Sequence, residues 1–132
     1  MREVILASHG RFAEGIEDSV TMIIGKQENL KTFGMRPGES AVDFAEVIKK
    51  EILEKPDAEF VILTDLYGAS VCTAMSFLSE YPNVTVFSGM NLGMVLDILT
   101  DTRTEASADA WVEEARTGIR EVKIDITEQE DF

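Results

Sequence analysis

The sequence predicts an α/β fold: an open, mostly parallel, doubly wound sheet of four strands plus a C-terminal edge strand, with helices on both faces. Short apolar runs alternate along the 132 residues with longer amphipathic segments, and this alternation is typical of a parallel sheet crossed by helices. The first four apolar runs are nearly continuous, as expected of strands that are buried on both faces. No repeat or composition shift divides the chain, so residues 1–132 are expected to form one domain.

The first half of the chain carries two predicted strands and two predicted helices. Val4–Ser8 is a strand, because it is an uninterrupted apolar run that ends in a polar residue. Phe12–Ile24 is a helix, since its apolar residues recur at helical spacing. Leu30–Met35 is a second strand with a weaker signal. Ala41–Glu54 is a second helix, and Ser40 before it is a good N-cap residue.

The second half repeats this alternation. Phe60–Thr64 is the strongest strand signal, and a loop leads from it into a helix over about Ser70–Glu80. The next elements are a strand and two helices, at Val84–Ser88, Asn91–Leu99 and Ala106–Thr117. Val122–Ile126 alternates apolar with charged residues, so this last strand should have one wet face. We therefore expect it at an edge of the sheet, where an antiparallel direction is allowed.

Composition argues against several classes of function. The 12 basic and 25 acidic residues give a net charge of −13, which disfavours binding to nucleic acid or to an anionic membrane surface. No apolar stretch approaches the roughly 20 residues of a membrane span, and the first residues lack the pattern of a signal peptide. The single cysteine, Cys72, has no partner for an internal disulfide. We therefore expect a cytoplasmic protein.

Chemistry in such a fold is expected beyond the carboxyl ends of the strands, where the strand order reverses. His9, the only histidine, ends the first strand and precedes Gly10, which permits a tight turn. It is either a polar residue that closes the strand or a reactive group. Asp65 follows the third strand and either closes its loop or accepts a hydrogen bond from one ring nitrogen of His9. In the second case the other ring nitrogen is free to act as a nucleophile.

The run Gly68-Ala69-Ser70 opens a predicted helix beyond the third strand. Its backbone N–H groups and the helix dipole predict an anion site for a phosphoryl group, to which the Ser70 hydroxyl can donate. Two alternatives are that Ser70 only caps the helix, and that Ser70, His9 and Asp65 form a hydrolase triad. One histidine and one cysteine cannot form a typical zinc site. The glycine spacing of residues 10–15 lacks the Lys and Ser/Thr of a P-loop.

Three segments carry motifs of one known family. Ser8–Gly15 contains its quite specific His-Gly-x-Phe-Ala-x-Gly pattern, and Asp65–Ser70 stands where the family has Asp-x-x-Gly-Gly-Ser. Gly89–Leu92 resembles the family's Gly-x-Asn-Leu stretch, and residues 22–29 and 37–39 fit it as well. On these motifs, nearly the whole chain resembles the IIA component of the mannose-type sugar phosphotransferase system.

The resemblance implies a phosphocarrier. His9 would accept a phosphoryl group from the histidine phosphocarrier protein and pass it to a IIB component, for sugar uptake through a membrane permease. The resemblance also implies a homodimer in which the last strand can exchange between subunits, and it implies no metal or nucleotide cofactor. Two alternatives are a regulatory or binding domain of the same fold and the related phosphotransfer domain of a dihydroxyacetone kinase system.

Overall fold

Four parallel strands and five α-helices make up the regular structure in the computed structural model, which describes residues 1–103 and 108–124. The strands are β1 (Arg2–His9), β2 (Leu30–Met35), β3 (Glu59–Thr64) and β4 (Val84–Phe87). The helices are α1 (Phe12–Ile24), α2 (Ala41–Glu54), α3 (Ser70–Ser76), α4 (Leu92–Thr100) and α5 (Ala108–Thr117). A short 3-10 helix, Phe77–Glu80, continues α3. None of the helices in the described ranges is long and apolar enough to cross a membrane.

The sheet has the strand order β2-β1-β3-β4 with every pair parallel, which confirms the predicted doubly wound topology. β1 lies at its centre and pairs with β2 on one side and β3 on the other, so the strand order reverses between β1 and β3. The register places His9 opposite Met35 and Ala7 opposite Thr64. The residues that follow β1 and β3 therefore emerge side by side at one edge of the sheet.

Alternate side chains of the central strands enter two separate hydrophobic layers. Val4 and Leu6 of β1 pack with buried residues of α1, α4 and α5. Ile5 and Ala7 pack on the opposite face, with buried residues of α2 and α3. Because both faces are covered, β1 and β3 can be almost wholly apolar, as the sequence indicates.

Local signals fix several helix ends. The Ser40 hydroxyl accepts a hydrogen bond from the Val42 N–H at 3.2 Å, as expected of the N-cap of α2. α1 ends at Gly25, whose φ of +81° suits glycine. Asn91 is the N-cap of α4 and not its first residue, since its side-chain oxygen accepts the Met94 N–H at 3.0 Å. The predicted helix Ser70–Glu80 divides into α3 and the 3-10 helix.

The predicted C-terminal edge strand needs a correction. Residues 121–124 form no strand, and Val122 and Ile124 are 84% and 80% exposed. The alternating pattern gives this segment an apolar face, but a strand also needs a neighbouring edge to supply hydrogen bonds. No such pairing forms for residues 122–124 in the single chain. Residues 125 and 126 of that prediction, and residues 106 and 107 of the last predicted helix, lie outside the described residues.

Candidate functional site

His9 is the last residue of β1, and hydrogen bonds hold the turn that follows it on both sides. The Gly10 N–H donates to the Met35 carbonyl at 2.8 Å, which ties the turn to β2. The buried Ser8 hydroxyl accepts the Ala13 N–H at 2.8 Å and donates to the His9 carbonyl at 3.1 Å, which ties it to the first turn of α1. Gly10 has a φ of +54°, a conformation that costs glycine little. The backbone of His9 is therefore fixed.

Asp65 holds both the backbone and the ring of His9. Its Oδ2 accepts the His9 backbone N–H at 2.8 Å and lies 2.7 Å from the Nδ1 of the ring. Its Oδ1 accepts the Leu66 N–H at 2.9 Å, which closes the loop after β3. The structure thus brings His9 and Asp65 together across the point where the strand order reverses. Both roles considered for Asp65, closing the loop and contacting the ring, occur in the same side chain.

The environment of Asp65 determines which ring nitrogen of His9 is free. Burial raises the pKa of the Asp65 carboxyl, but hydrogen bonds from the His9 N–H, the His9 ring and the Leu66 N–H outweigh it and hold the pKa below its ordinary value. A carboxylate only accepts hydrogen bonds, so Nδ1 carries the ring hydrogen. Nε2 then keeps a lone pair, on a side chain that is 45% exposed whereas that of Asp65 is 13% exposed.

The carboxyl end of β3 is itself anchored to the neighbouring loop. Thr64, directly before Asp65, is buried and donates its hydroxyl hydrogen to the Phe87 carbonyl at 2.9 Å. The Met90 N–H donates to the Thr64 carbonyl at 3.0 Å. Sequence reasoning missed both Thr64 and Ser8 as supports of the site. The signal available was a buried hydroxyl residue at the end of an apolar strand.

The run Gly68-Ala69-Ser70 begins α3, as the sequence predicts, but its surroundings differ from those of His9. Gly68 has a φ of +79°, and Ala69 is the N-cap without a side-chain bond, so Ser70 does not cap the helix. The Ala69 N–H already donates to the Leu66 carbonyl at 3.2 Å. Gly68 and Ser70 line a groove of about 530 Å³ between α2 and α3, whose lining includes neither His9 nor Asp65.

The geometry of this region supports neither a hydrolase triad nor a metal site among the described residues. Within residues 1–103 and 108–124, no hydrogen bond joins Ser70 to His9, so the geometry does not supply a hydrolase triad. In the same ranges, no group of three His, Cys, Asp or Glu side chains is arranged to hold a metal ion. Cys72 is a partly buried residue of α3. What the site offers is a single exposed imidazole with one oriented lone pair.

Comparison with known proteins identifies the family. The EIIA-man family model, described as PTS system fructose IIA component, matches residues 3–116. The sorbose-specific EIIA component of Klebsiella pneumoniae is 32% identical over 110 residues, which cover 83% of this chain and 81% of that protein. The fructose-specific EIIA component of Bacillus subtilis is 28% identical over 102 residues, 76% of this chain and 70% of that protein.

A solved structure agrees with these matches. Phosphotransferase system component EIIA from Streptococcus agalactiae superposes with a TM-score of 0.77 at 30% identity, over 92% of this chain and 97% of that one. The chain therefore belongs to the mannose-type EIIA family of the sugar phosphotransferase system.

Proposed function

We propose that this chain is a phosphocarrier that accepts a phosphoryl group on Nε2 of His9 from the histidine phosphocarrier protein and passes it to a IIB component. The onward transfer serves uptake and phosphorylation of a sugar through a membrane permease. The observation that carries the proposal is the His9–Asp65 pair, in which a partly buried carboxylate takes Nδ1 and leaves Nε2 free on a half-exposed side chain. Membership of the EIIA family supports the same role.

The proposed transfer exchanges one P–N bond for another. The Nε2 lone pair attacks phosphorus in line with the leaving nitrogen of the donor phosphohistidine. The new P–N bond forms as the old one breaks, and the donor nitrogen keeps the released electron pair. Such a loose transition state needs positioning and charge stabilisation more than proton transfer. The Asp65 carboxylate supplies both, because it fixes the ring and offsets the positive charge that develops on it.

The start of α3 is the proposed contact for the transferred phosphoryl group. The Ser70 N–H lies in the first turn of α3, where backbone N–H groups lack partners within the helix, and the Ser70 hydroxyl is a further donor. Gly68 gives the loop its left-handed turn, and Ala69 adds no bulk beyond a methyl group. In this proposal the three residues contact the phosphoryl group once it is bound to His9.

Exposed apolar side chains beside the site support a protein partner. Phe12 begins α1 just after the His9 turn, and Leu66 and Tyr67 directly follow Asp65. All three side chains are at least half exposed. Aromatic side chains of this kind commonly provide the central contacts of protein–protein interfaces. A carrier protein that reaches Nε2 of His9 would cover them.

The direct test is phosphorylation of the intact chain. Incubation with phosphoenolpyruvate and the two general proteins of the system is expected to yield one phosphate that is labile in acid and stable in base. Omitting the histidine phosphocarrier protein is the control and should prevent labelling. A chain that takes up no phosphate, or takes up an acid-stable one, contradicts the proposal. A labelled chain that passes phosphate to no IIB component would contradict the carrier role and would favour the alternative of a regulatory domain with the same fold.

We also propose a homodimer held by the C-terminal segment. Val122 and Ile124, together with Ile119, are exposed in the single chain, and covering them in a second copy would remove apolar surface from water. Deletion of residues 119–132 should then convert a dimer into a monomer, as measured by light scattering at tens of micromolar. A full-length chain that is already monomeric contradicts the idea. A truncated chain that stays dimeric assigns the interface to another surface.

A further inference from the structure

Gly34 in β2 lies directly against the turn that follows His9. A Cβ atom built on Gly34 would come within 3.0 Å of the Gly10 carbonyl oxygen, closer than real Cβ atoms approach any neighbour. It would also lie 3.4 Å from the Gly10 carbonyl carbon. These atoms are backbone, so no side-chain rotation can relieve the contact. Any other residue at position 34 must displace the Gly10–Arg11 peptide or β2 itself, to which that turn is hydrogen-bonded.

A second contact from β2 holds the same turn. The Gly10 N–H donates to the Met35 carbonyl at 2.8 Å, one residue after Gly34 on the same strand. The hydrogen of Gly34 that stands in place of a side chain points at the Gly10 oxygen, in the manner of a weak C–H···O contact. β2 therefore holds both the N–H and the C=O of Gly10. This pair of contacts sets the backbone angles of Gly10, including its φ of +54°.

An ion pair between Glu14 and Arg36 lies beside the same glycine. Glu14 of α1 places its Oε1 3.5 Å from the position that a Gly34 Cβ would occupy. The same oxygen accepts a hydrogen bond from the Arg36 guanidinium at 2.7 Å. The space above Gly34 is thus bounded by the Gly10 carbonyl and by a paired carboxylate. A side chain at position 34 therefore needs a shift of the turn or of the β2 backbone that is bonded to it.

We propose that Gly34 is a positioning residue for phosphoryl transfer: its missing side chain lets the Gly10 carbonyl lie against β2, and this sets the direction of the His9 ring. The inference rests on the proposed function for its kinetic consequence. A displaced Gly10 carbonyl changes the backbone angles next to His9. The His9 N–H and Nδ1 share one oxygen of Asp65, so a small rotation of the His9 backbone disturbs both hydrogen bonds.

The test compares Gly34→Ala with Gly15→Ala. We expect Gly34→Ala to lower kcat for phosphorylation of His9 by about 10- to 100-fold, as a misplacement of about 1 Å can do, with little change in KM for the donor protein. Gly15 makes a matched control, because it lies in α1 and an added Cβ meets nothing within 4 Å. Gly15→Ala should leave both kinetic constants unchanged. Equal kinetic constants in the two variants would overturn the proposal.

A spectroscopic measurement separates this proposal from the proposed function. His9 is the only histidine, so the ring ¹⁵N spectrum of histidine-labelled protein reports this one imidazole. Gly34→Ala should shift the Nδ1 and Nε2 signals away from those of the original protein, whereas Gly15→Ala should not. Unshifted signals overturn the inference about Gly34. If the signals shift but the original protein accepts no phosphate, the proposed function alone fails.

A second variant covers the case in which Gly34→Ala does not fold. Gly10→Ala disturbs the same turn from within, by strain at a φ of +54°, and its added Cβ meets nothing within 4 Å. We expect it to lower kcat and shift the ring signals in the same sense as Gly34→Ala. A Gly10→Ala protein with unchanged kcat and an unchanged spectrum would overturn the proposal.

Discussion

Replacing His9 by alanine is expected to abolish acid-labile phosphorylation of the chain while leaving its fold intact. The chain contains no second histidine that could take over as the acceptor. The His9 side chain is 45% exposed, so its removal opens no cavity in either hydrophobic layer. Its backbone N–H can still donate to Asp65. Phosphate uptake from the donor protein and thermal unfolding should be measured on the same preparation.

The His9→Gln variant is the companion to this experiment. It keeps the length and polarity of the side chain but has no nitrogen with an available lone pair, so it should be as inactive as His9→Ala. Acid-labile, base-stable phosphate in either variant would move the acceptor away from His9. A variant that no longer unfolds cooperatively would instead show that His9 supports the fold, in conflict with its exposure.

Most of the fold could be predicted because local signals and tertiary packing agree. The bounds of Phe12–Ile24, Leu30–Met35 and Ala41–Glu54 match the predicted ones. In each case a glycine, a cap or a turn stands where the periodic pattern ends. β1 and β3 are buried on both faces, so their apolar runs predict strands without ambiguity.

The elements that differ from prediction depend on contacts that the pattern does not encode. The helix expected over Ser70–Glu80 tightens into a 3-10 turn from Phe77, although nothing in its composition separates the two halves. The segment at Val122 has the apolar alternation of a strand, but no strand edge pairs with residues 122–124 in this chain. Periodicity indicates which side chains must be buried, but it does not indicate which surface buries them.

The candidate site, too, could be predicted only in part. The proximity of His9 and Asp65 follows from topology, because the ends of two adjacent parallel strands must meet at one edge. The bond from the His9 backbone N–H to Asp65 could not be predicted, since it depends on the side-chain rotamer. Gly34 carried a signal that sequence analysis left unused: a glycine inside a strand often marks a close approach of backbone. The groove beside Gly68 and Ser70 could not be predicted, because it depends on how α2 and α3 pack against each other.

Replacing Asp65 by alanine should slow phosphoryl transfer to His9 by orders of magnitude. The expected loss is up to about 10⁴-fold, the size seen when the orienting carboxylate of the serine-protease triad is changed. Without the carboxylate, the His9 ring loses the acceptor at 2.7 Å that holds Nδ1 and offsets developing positive charge. Stopped-flow or quench measurements of phosphate uptake would give the rate. An unchanged rate would mean that the pairing plays no part in transfer.

The Asp65→Asn variant tests whether phosphoryl transfer depends on the hydrogen bonds that this side chain accepts or on its negative charge. The carboxylate of Asp65 accepts hydrogen bonds from the His9 N–H, the His9 ring and the Leu66 N–H, whereas an amide must direct its NH₂ group at one of these donors. We therefore expect slow phosphoryl transfer to His9 in this variant as well. Recovery of the original rate in Asp65→Asn would show that an oxygen acceptor suffices and that the negative charge contributes little.

The pH dependence of stability provides an independent check on Asp65. Its folded-state pKa lies below the ordinary value, so its hydrogen bonds stabilise the fold above that value and are lost as pH falls through the folded pKa. The original protein should lose this part of its stability below about pH 4. Asp65→Ala should show a smaller decrease in its free energy of unfolding over the same interval. Identical acid unfolding of the two proteins would mean that the donors around Asp65 do not lower the pKa of its carboxyl on folding. Asp65 would still be a carboxylate at neutral pH, but its hydrogen bonds with His9 and Leu66 would then add no net stability to the folded chain.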